Sequence, residues 1–336
     1  MYLLQDFDKS FGVYDVQDED MHLALKAVKP HYALTETQFF EFSVPEHDIF
    51  AVLYLWYHPA LNVVSAGPMI CQGVKTIALA SELFDYRSYM PDRLLDGKLT
   101  SYTLDNGYAL EMLEAGRTFR VRYDDPSRRN HFDVTYTAAA DPVVWPGSKH
   151  FEQVMRTRGE LTLRGKRYEI AGFNVRNRSW GETRLEDPMA GPPAGGFIGV
   201  FNEGFSFNVR GYDHPDLDPI WRGKFAMDGA KAHKYGWIVV DGERSPVKMA
   251  RTVTHYDRVS LFPDSVDIEI VDLRDRTFNI SGKIVAGLPF TPWLNTRSTV
   301  CLTRWECNEQ IGWGGYSIQV QGNDFLHHFY ARNQNL

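Results

Sequence analysis

Residues 118–138 read TFRVRYDDPSRRNHFDVTYTA. In TFRVRYDD, Phe119, Val121 and Tyr123 share one parity, and Arg120 and Arg122 share the other. HFDVTYTA repeats the scheme, with Phe132, Val134 and Tyr136 alternating with Asp133, Thr135 and Thr137. Successive side chains of a strand point to opposite faces, so both runs predict half-buried antiparallel strands.

The same texture extends outward in both directions. TQFFEFSV, IFAVLYLWYH, LNVVSAGPMICQGV, LTSYTL and YALEMLEA precede it, and ELTLRGKRYEI follows as a hairpin with Gly165 in the turn. From Phe197 the pattern resumes with FIGVFNE and FSFNVRGY and continues to GGYSIQVQG. Short runs bounded by Gly, Pro, Asp or Asn are the signature of an all-β meander, sandwich or barrel. Two strings of strands, separated near residues 142–195, predict two β domains of similar size. Residues 1–34 form an extension in which DEDMHLALKAV reads as a short amphipathic helix. Residues 35–175 and 176–336 are the two expected domains, the second closing with a short helix in NDFLHHFYARNQ. EDPMAGPPAGG, residues 186–196, reads as a linker and lacks the GxxxxGK[ST] phosphate cradle.

Composition narrows the function classes. The chain has 336 residues, 43% hydrophobic and 24% charged, as in soluble globular proteins. Its 14% aromatic content suits pleated surfaces and pocket walls. A net charge of −7 gives no footprint for nucleic acid. MYLLQDFDKS lacks a charged n-region followed by an apolar stretch and no run of 18 apolar residues exists, so neither a signal peptide nor a membrane span is expected. Cys71, Cys301 and Cys307 form no CxxC unit, and Cys301 and Cys307 on one straight strand would stand about 20 Å apart. Buried free thiols and a cytoplasmic location are the expectation.

The familiar catalytic signatures GxSxG, HExxH and CxxC are absent. His327 and His328 are adjacent and diverge on either a strand or a helix, which argues against a shared metal. Asp216 and Asp218 lack the Gly and Glu that a calcium loop requires. Tyr212, Asp213 and His214 read either as a strand end before a Pro-fixed loop or as a proton-transfer group at a cavity mouth. The densest polar cluster is Arg176, Asn177, Arg178, Ser179 and Trp180. A buried arginine needs a carboxylate or several carbonyls; Asp141, Glu152, Glu169, Glu182 and Glu186 lie near in sequence. The cluster therefore either lines a site or locks a barrel junction with Trp180 as its plug.

The order of HFEQ (150–153), RGELTLRGKRYEIAG (158–172), RNRSWG (176–181) and GWGGYS (312–317) resembles a lipocalin-pair superfamily. That superfamily contains the AttH-like proteins and the carotenoid 1,2-hydratases, and the resemblance covers roughly residues 35–325. It implies two calycin-like β-barrels packed side by side, enclosing a cavity for a hydrophobic molecule. It also implies hydration of isoprenoid double bonds or cyclisation of polyketide-derived polyenes, and the lack of nucleotide motifs and of a metal constellation predicts that no cofactor is needed. An acid would protonate the alkene, aromatic faces would stabilise the cation, and a polar side chain would deliver water.

Relatives carry R-D-H-S-W-G where this chain has Asn177 and Arg178 in place of the Asp and His. A Glu that follows the C-terminal Gly-aromatic-Gly in relatives is replaced by Tyr316 and Ser317. Neither an amide nor a guanidinium serves as a general acid near neutrality. The candidate catalytic residues are Asn177, Arg178, Trp180, Asp213 and Glu152; the candidate substrate-binding residues are Arg176, Ser179, Tyr212, Trp313 and Tyr316. Three readings stay open. The acid has moved to Glu152, Asp213 or Tyr316; or Asn177 and Arg178 polarise a substrate carbonyl; or the protein is a carrier whose arginines hold a ligand carboxylate. The expected partner is a hydrophobic small molecule, with no nucleic acid, no membrane span, no metal and no nucleotide cofactor. A homodimer is among the open oligomeric states.

Overall fold

The computed structural model describes residues 31–95, 97, 99–144, 149–183, 193–214, 216–217, 222, 232–291 and 296–322. The helices expected before residue 30 and after residue 323, and most of the 186–196 linker, lie outside the described residues. Alternation in TFRVRYDD and HFDVTYTA is realised residue by residue: Phe119, Val121, Tyr123, Phe132, Val134 and Tyr136 are buried. On the other face Arg120 donates to Asp133 across the two strands.

Twelve strands build one large antiparallel sheet. They are β1 (Leu34–Val44), β2 (Ile49–His58), β3 (Val63–Gln72), β4 (Leu83–Phe84), β5 (Arg87–Pro91) and β6 (Ser101–Thr103). Then come β7 (Ala109–Glu114), β8 (Thr118–Asp125), β9 (Asn130–Ala138), β10 (Val143–Val144), β11 (His150–Leu163) and β12 (Lys166–Thr183). The order is β4-β3-β2-β1-β12-β11-β9-β8-β7-β6, with β5 on β3 and β10 on β11. One face of the sheet is aromatic: Phe40 meets Phe119 at 5.4 Å and Tyr136 at 4.9 Å, and Phe42 meets Phe132 at 5.4 Å.

Among the described residues no backbone ladder joins the two ends of this sheet. Side chains join them instead. Asn106 Nδ2 donates to Ala66 O (3.1 Å) and Asp85 O (2.8 Å), and Tyr123 Oη donates to Asp85 Oδ2 (2.7 Å). Arg128 donates to the same carboxylate at 3.2 Å. Gly67 lets the backbones close here. Its φ is +147°, and a Cβ would lie 2.0 Å from Asp85 O and 2.6 Å from Asn106 Nδ2.

A closed barrel of eight strands follows. It comprises β13 (Ala194–Asn202), β14 (Phe205–Tyr212), β15 (His233–Val240), β16 (Glu243–Tyr256), β17 (Pro263–Asp272), β18 (Thr277–Phe290), β19 (Thr296–Cys307) and β20 (Gln310–Gln321). Consecutive strands pair antiparallel, and β13 closes on β20. Trp305 fills part of the interior, fully buried, with its Nε1 donating to Ile198 O at 2.8 Å. Its ring occupies the space that side chains at Gly199 and Gly282 would take, with hypothetical Cβ atoms at 2.8 and 2.4 Å. Cys71, Cys301 and Cys307 are free and buried, as expected.

The chain thus forms two compact units. Described residues 31–72 and 79–183 make the first; residues 73–78 and 193–322 make the second. Residues 73–78 count with the barrel because Val74 bridges Gly287 of β18. The division does not fall between residues 175 and 176. β12 runs through that point without a break and pairs β1 from Phe40↔Arg176 to Leu34↔Thr183, so the RNRSWG stretch belongs to the first unit.

Gly67→Ala is expected to cost about 3 kcal/mol, the upper range of over-packing penalties, and Asn106→Ala about 1–3 kcal/mol for two stranded carbonyls. Urea denaturation of each variant checks both.

Candidate active site

Period-two geometry splits the RNRSWG cluster between the two faces of β12. Arg176, Arg178 and Trp180 turn toward the aromatic core, and Trp180 packs against it with its ring 5.9 Å from that of Phe151. Asn177 and Ser179 face the other way, in register with Glu152 and His150 of β11.

Both arginines are wholly buried and engaged by protein groups. Arg178 pairs with Glu36, its Nη2 2.5 Å from Oε2. It also donates to Thr37 O at 3.2 Å and to Ser179 O, and its guanidinium lies 5.9 Å from the Trp180 ring. Arg176 donates to Gln153 Oε1 at 2.7 Å and Gly116 O at 3.2 Å, between the faces of Phe119 (4.4 Å) and Phe151 (4.9 Å). Burial, reinforced by the Arg178 charge, pushes the Arg176 pKa down to about 9, still cationic at neutrality. Gln38, in register with Arg178, accepts from Tyr102 Oη at 2.7 Å. Burial holds the Tyr102 hydroxyl well above its usual range, so it stays a neutral donor.

The opposite face groups a histidine, a serine and a glutamate. His150 Nδ1 is 2.6 Å from Ser179 Oγ, and its Nε2 lies 3.8 Å from Glu152 Oε1. All three residues are buried, and Glu152 is 2% exposed. Nearby, Glu41 accepts from the Val175 amide at 3.2 Å.

Asp213 sits in the second unit, one residue beyond β14, and is 1% exposed. Its Oδ1 accepts from Thr254 Oγ1 at 2.8 Å and its Oδ2 from Tyr256 Oη at 2.9 Å. β14 ends at Tyr212, whose O accepts from Thr252 Oγ1, and the His214 amide donates to Thr252 O; Pro215 lies outside the described residues. His233, opposite Gly211 on β15, has its pKa pushed down by burial to about 4.

Trp313 is half-buried on β20 opposite Arg304, one position away from Gly312, which pairs with the inward Trp305. It therefore lies on the other face of the barrel wall from Asp213. The Tyr316 backbone pairs with Phe197 and Cys301; its side chain, like His327 and His328, lies outside the described residues. Among the described residues no group of three or more His, Cys, Asp or Glu side chains is arranged to hold a metal. No helix among them is long and apolar enough to cross a membrane.

Sequence reasoning missed four participants. Glu36 was legible in principle, since it shares parity with Gln38 and the inward Phe40. His150 appeared only as part of a motif. Thr254 and Tyr256 lie 41 and 43 residues from Asp213, and no local signal joins them.

An open aromatic sheet followed by a closed eight-stranded barrel defines an all-β protein of AttH-like fold. Kievitone hydratase from Nectria haematococca shares it, with a TM-score of 0.55 at 13% identity over 93% of this chain and 94% of that one. CghA in complex with Sch210972 gives 0.53 at 12% identity over 87% and 89%. A Nitrosomonas europaea protein classed as AttH gives 0.56 at 11% identity over 88% and 95%. The sequence itself matches the model of a domain of unknown function, DUF7064, across residues 15–321, and the chain belongs to that family. No curated protein matches it.

Two outcomes follow from these contacts. Arg178→Ala leaves Glu36 buried without its cation and is expected to destabilise the fold by about 3–5 kcal/mol, whereas Arg178→Met combined with Glu36→Leu costs less than the single change; urea titration of the three chains decides it. The depressed His233 pKa means the folded state binds fewer protons than the unfolded one, so stability is complete above about pH 6.5 and falls as pH drops toward 4. Thermal melts at pH 7 and 4.5 should show the wild type losing up to about 3 kcal/mol more than His233→Gln.

Proposed function

We propose that the protein is a cofactor-independent enzyme that hydrates, dehydrates or cyclises a hydrophobic, isoprenoid- or polyketide-like molecule, with Asp213 as its proton-transfer group. The observation that carries this reading is a buried carboxylate gripped by two hydroxyls, one of which, on the half-buried Tyr256, links it outward. Thr254 and Tyr256 fix both carboxyl oxygens, so a proton can leave one oxygen without the side chain turning. In hydration, the carboxylic acid adds its proton to one alkene carbon. Water then adds to the neighbouring cationic carbon and returns a proton to the carboxylate, so the net change is C=C plus water. In cyclisation the same proton activates a polyene or carbonyl and is recovered at the end.

The relatives' names support the same direction: one is a hydratase, and CghA holds Sch210972. Asp213 supplies the carboxyl function that Asn177 and Arg178 lack. His150, Ser179 and Glu152 form a second set of proton-handling groups on the first unit. The carrier reading asked Arg176 and Arg178 to hold a ligand carboxylate, but their guanidinium groups are buried on Glu36, Gln153 and backbone carbonyls.

The test is turnover of a panel of acyclic isoprenoid alkenes and linear polyenes in H₂¹⁸O or D₂O, read by mass spectrometry. A converted compound should carry the solvent label on hydration. Asp213→Asn keeps the shape and one acceptor oxygen, with one hydroxyl turning to accept from Nδ2; it should lower the rate about 10²–10⁴-fold, and the thermal midpoint of the variant shows whether the fold is retained. Undiminished turnover by Asp213→Asn would remove Asp213 from the chemistry.

A further inference from the structure

Two hairpin turns of the first unit lie against each other, Asp125–Asn130 between β8 and β9 and Arg164–Gly165 between β11 and β12. The Arg164 amide donates to Asn130 Oδ1 at 2.8 Å, and the Gly165 amide donates to Arg129 O at 2.9 Å. Both turns place an arginine in the left-handed region, Arg129 at φ +54° and Arg164 at +52°. Glycine or asparagine takes that conformation with less strain. Placing arginine there in both adjoining turns puts two guanidinium groups on the wall of one groove, whose volume is about 550 Å³.

The three arginines of this groove are not equivalent. Arg128 is held by Asp125 and by Asp85 at 3.2 Å. Arg164 donates to Glu82 O at 3.1 Å and Ser81 O at 3.4 Å, which pins the segment carrying the groove's apolar wall. Arg129 has no hydrogen bond or ion pair with any described side chain, and its guanidinium lies over Gly165, 3.2 Å from where a Cβ would stand. Asn130 is 2% exposed and lines the same groove; its Oδ1 is used, and its Nδ2 meets no acceptor among the described residues. The Glu82 carboxylate, also on the lining, accepts the Gln72 amide at 2.7 Å. Leu79, 77% exposed, and the half-buried Phe84 supply an apolar stretch beside these donors.

We infer that this groove binds an organic carboxylate with an apolar tail, its head on Arg129 and Asn130 and its tail along Leu79 and Phe84. A planar guanidinium beside an amide donor matches two carboxylate oxygens. The apolar wall favours a tailed acid over a bare inorganic anion. The site uses residues of the first unit alone and stands whether or not Asp213 is catalytic.

Decanoate is the probe, with decanol as its neutral counterpart and inorganic phosphate as the bare anion. Isothermal titration of the full chain should show decanoate binding at least tenfold tighter than either. Arg129→Gln should weaken decanoate at least tenfold and leave decanol unchanged. Arg129→Gly provides the folding control: it removes the guanidinium while relieving the left-handed backbone, so its thermal midpoint should equal or exceed that of wild type as binding is lost. Equal decanoate affinity in wild type and both variants, or equal affinity for decanol and decanoate, overturns the assignment. Phosphate binding as tightly as decanoate overturns the role of the apolar wall and with it the proposed ligand class.

Discussion

The pairing of Arg178 with Glu36 is the constraint on which the first unit depends. The two residues are 142 positions apart and wholly buried, on adjoining strands β1 and β12. A sheet can slip by one residue only by turning every side chain to the opposite face. Here a slip of β12 would turn Arg178 out of the core and leave the Glu36 carboxylate buried there without its cation, at a cost far above that of a misplaced methyl. Buried charge thus specifies the register in which Phe40 meets Phe119 and Tyr136. It also explains why RNRSWG carries so many donors: three of its five donor side chains, Arg176, Arg178 and Trp180, lie on the core side.

The remaining polar groups divide by strand parity. His150, Ser179 and Glu152 occupy the face of the first sheet opposite to the arginines. Asp213 occupies the inward side of the barrel, fixed by hydroxyls from β16. Trp305 fills barrel space that a ligand-enclosing lipocalin would leave open, through close approaches permitted by Gly199 and Gly282. The two units therefore offer different chemistry, although both are built from antiparallel strands.

Much of the fold was legible because burial and period two coincide in runs such as TFRVRYDD. IFAVLYLWYH was legible for a different reason, a near-continuous apolar run that the sheet buries on both sides. The domain boundary was less accessible. Pro and Gly near residues 142–147 resemble a linker, yet β11 and β12 immediately beyond them are 14 and 18 residues long and central to the first sheet. The site was legible as residue types and not as groupings. Arg176 to Trp180 look like one cluster in sequence, while the pleat sends them two ways. Asp213 could be singled out by its turn, but its partners arrive from another strand through tertiary pairing. Glu36 lay in plain view on the inward parity of β1, and an acid at that position is informative only once its cation is known.

The stitched seam of the first sheet has a dynamic consequence. A closed ladder has no edge, and opening it means breaking backbone bonds in series. In the first unit a few side-chain contacts around Asp85 and Asn106 stand where that ladder would be. Releasing them frees two strand edges without disturbing any other strand pair. Amide exchange should accordingly be fastest along β4, β5 and β6, and slower in the closed barrel at equal depth. Those same short edges are the segments through which one copy of this chain could recruit another into a shared sheet, and their brevity, two to five residues each, limits how far such a pairing could grow.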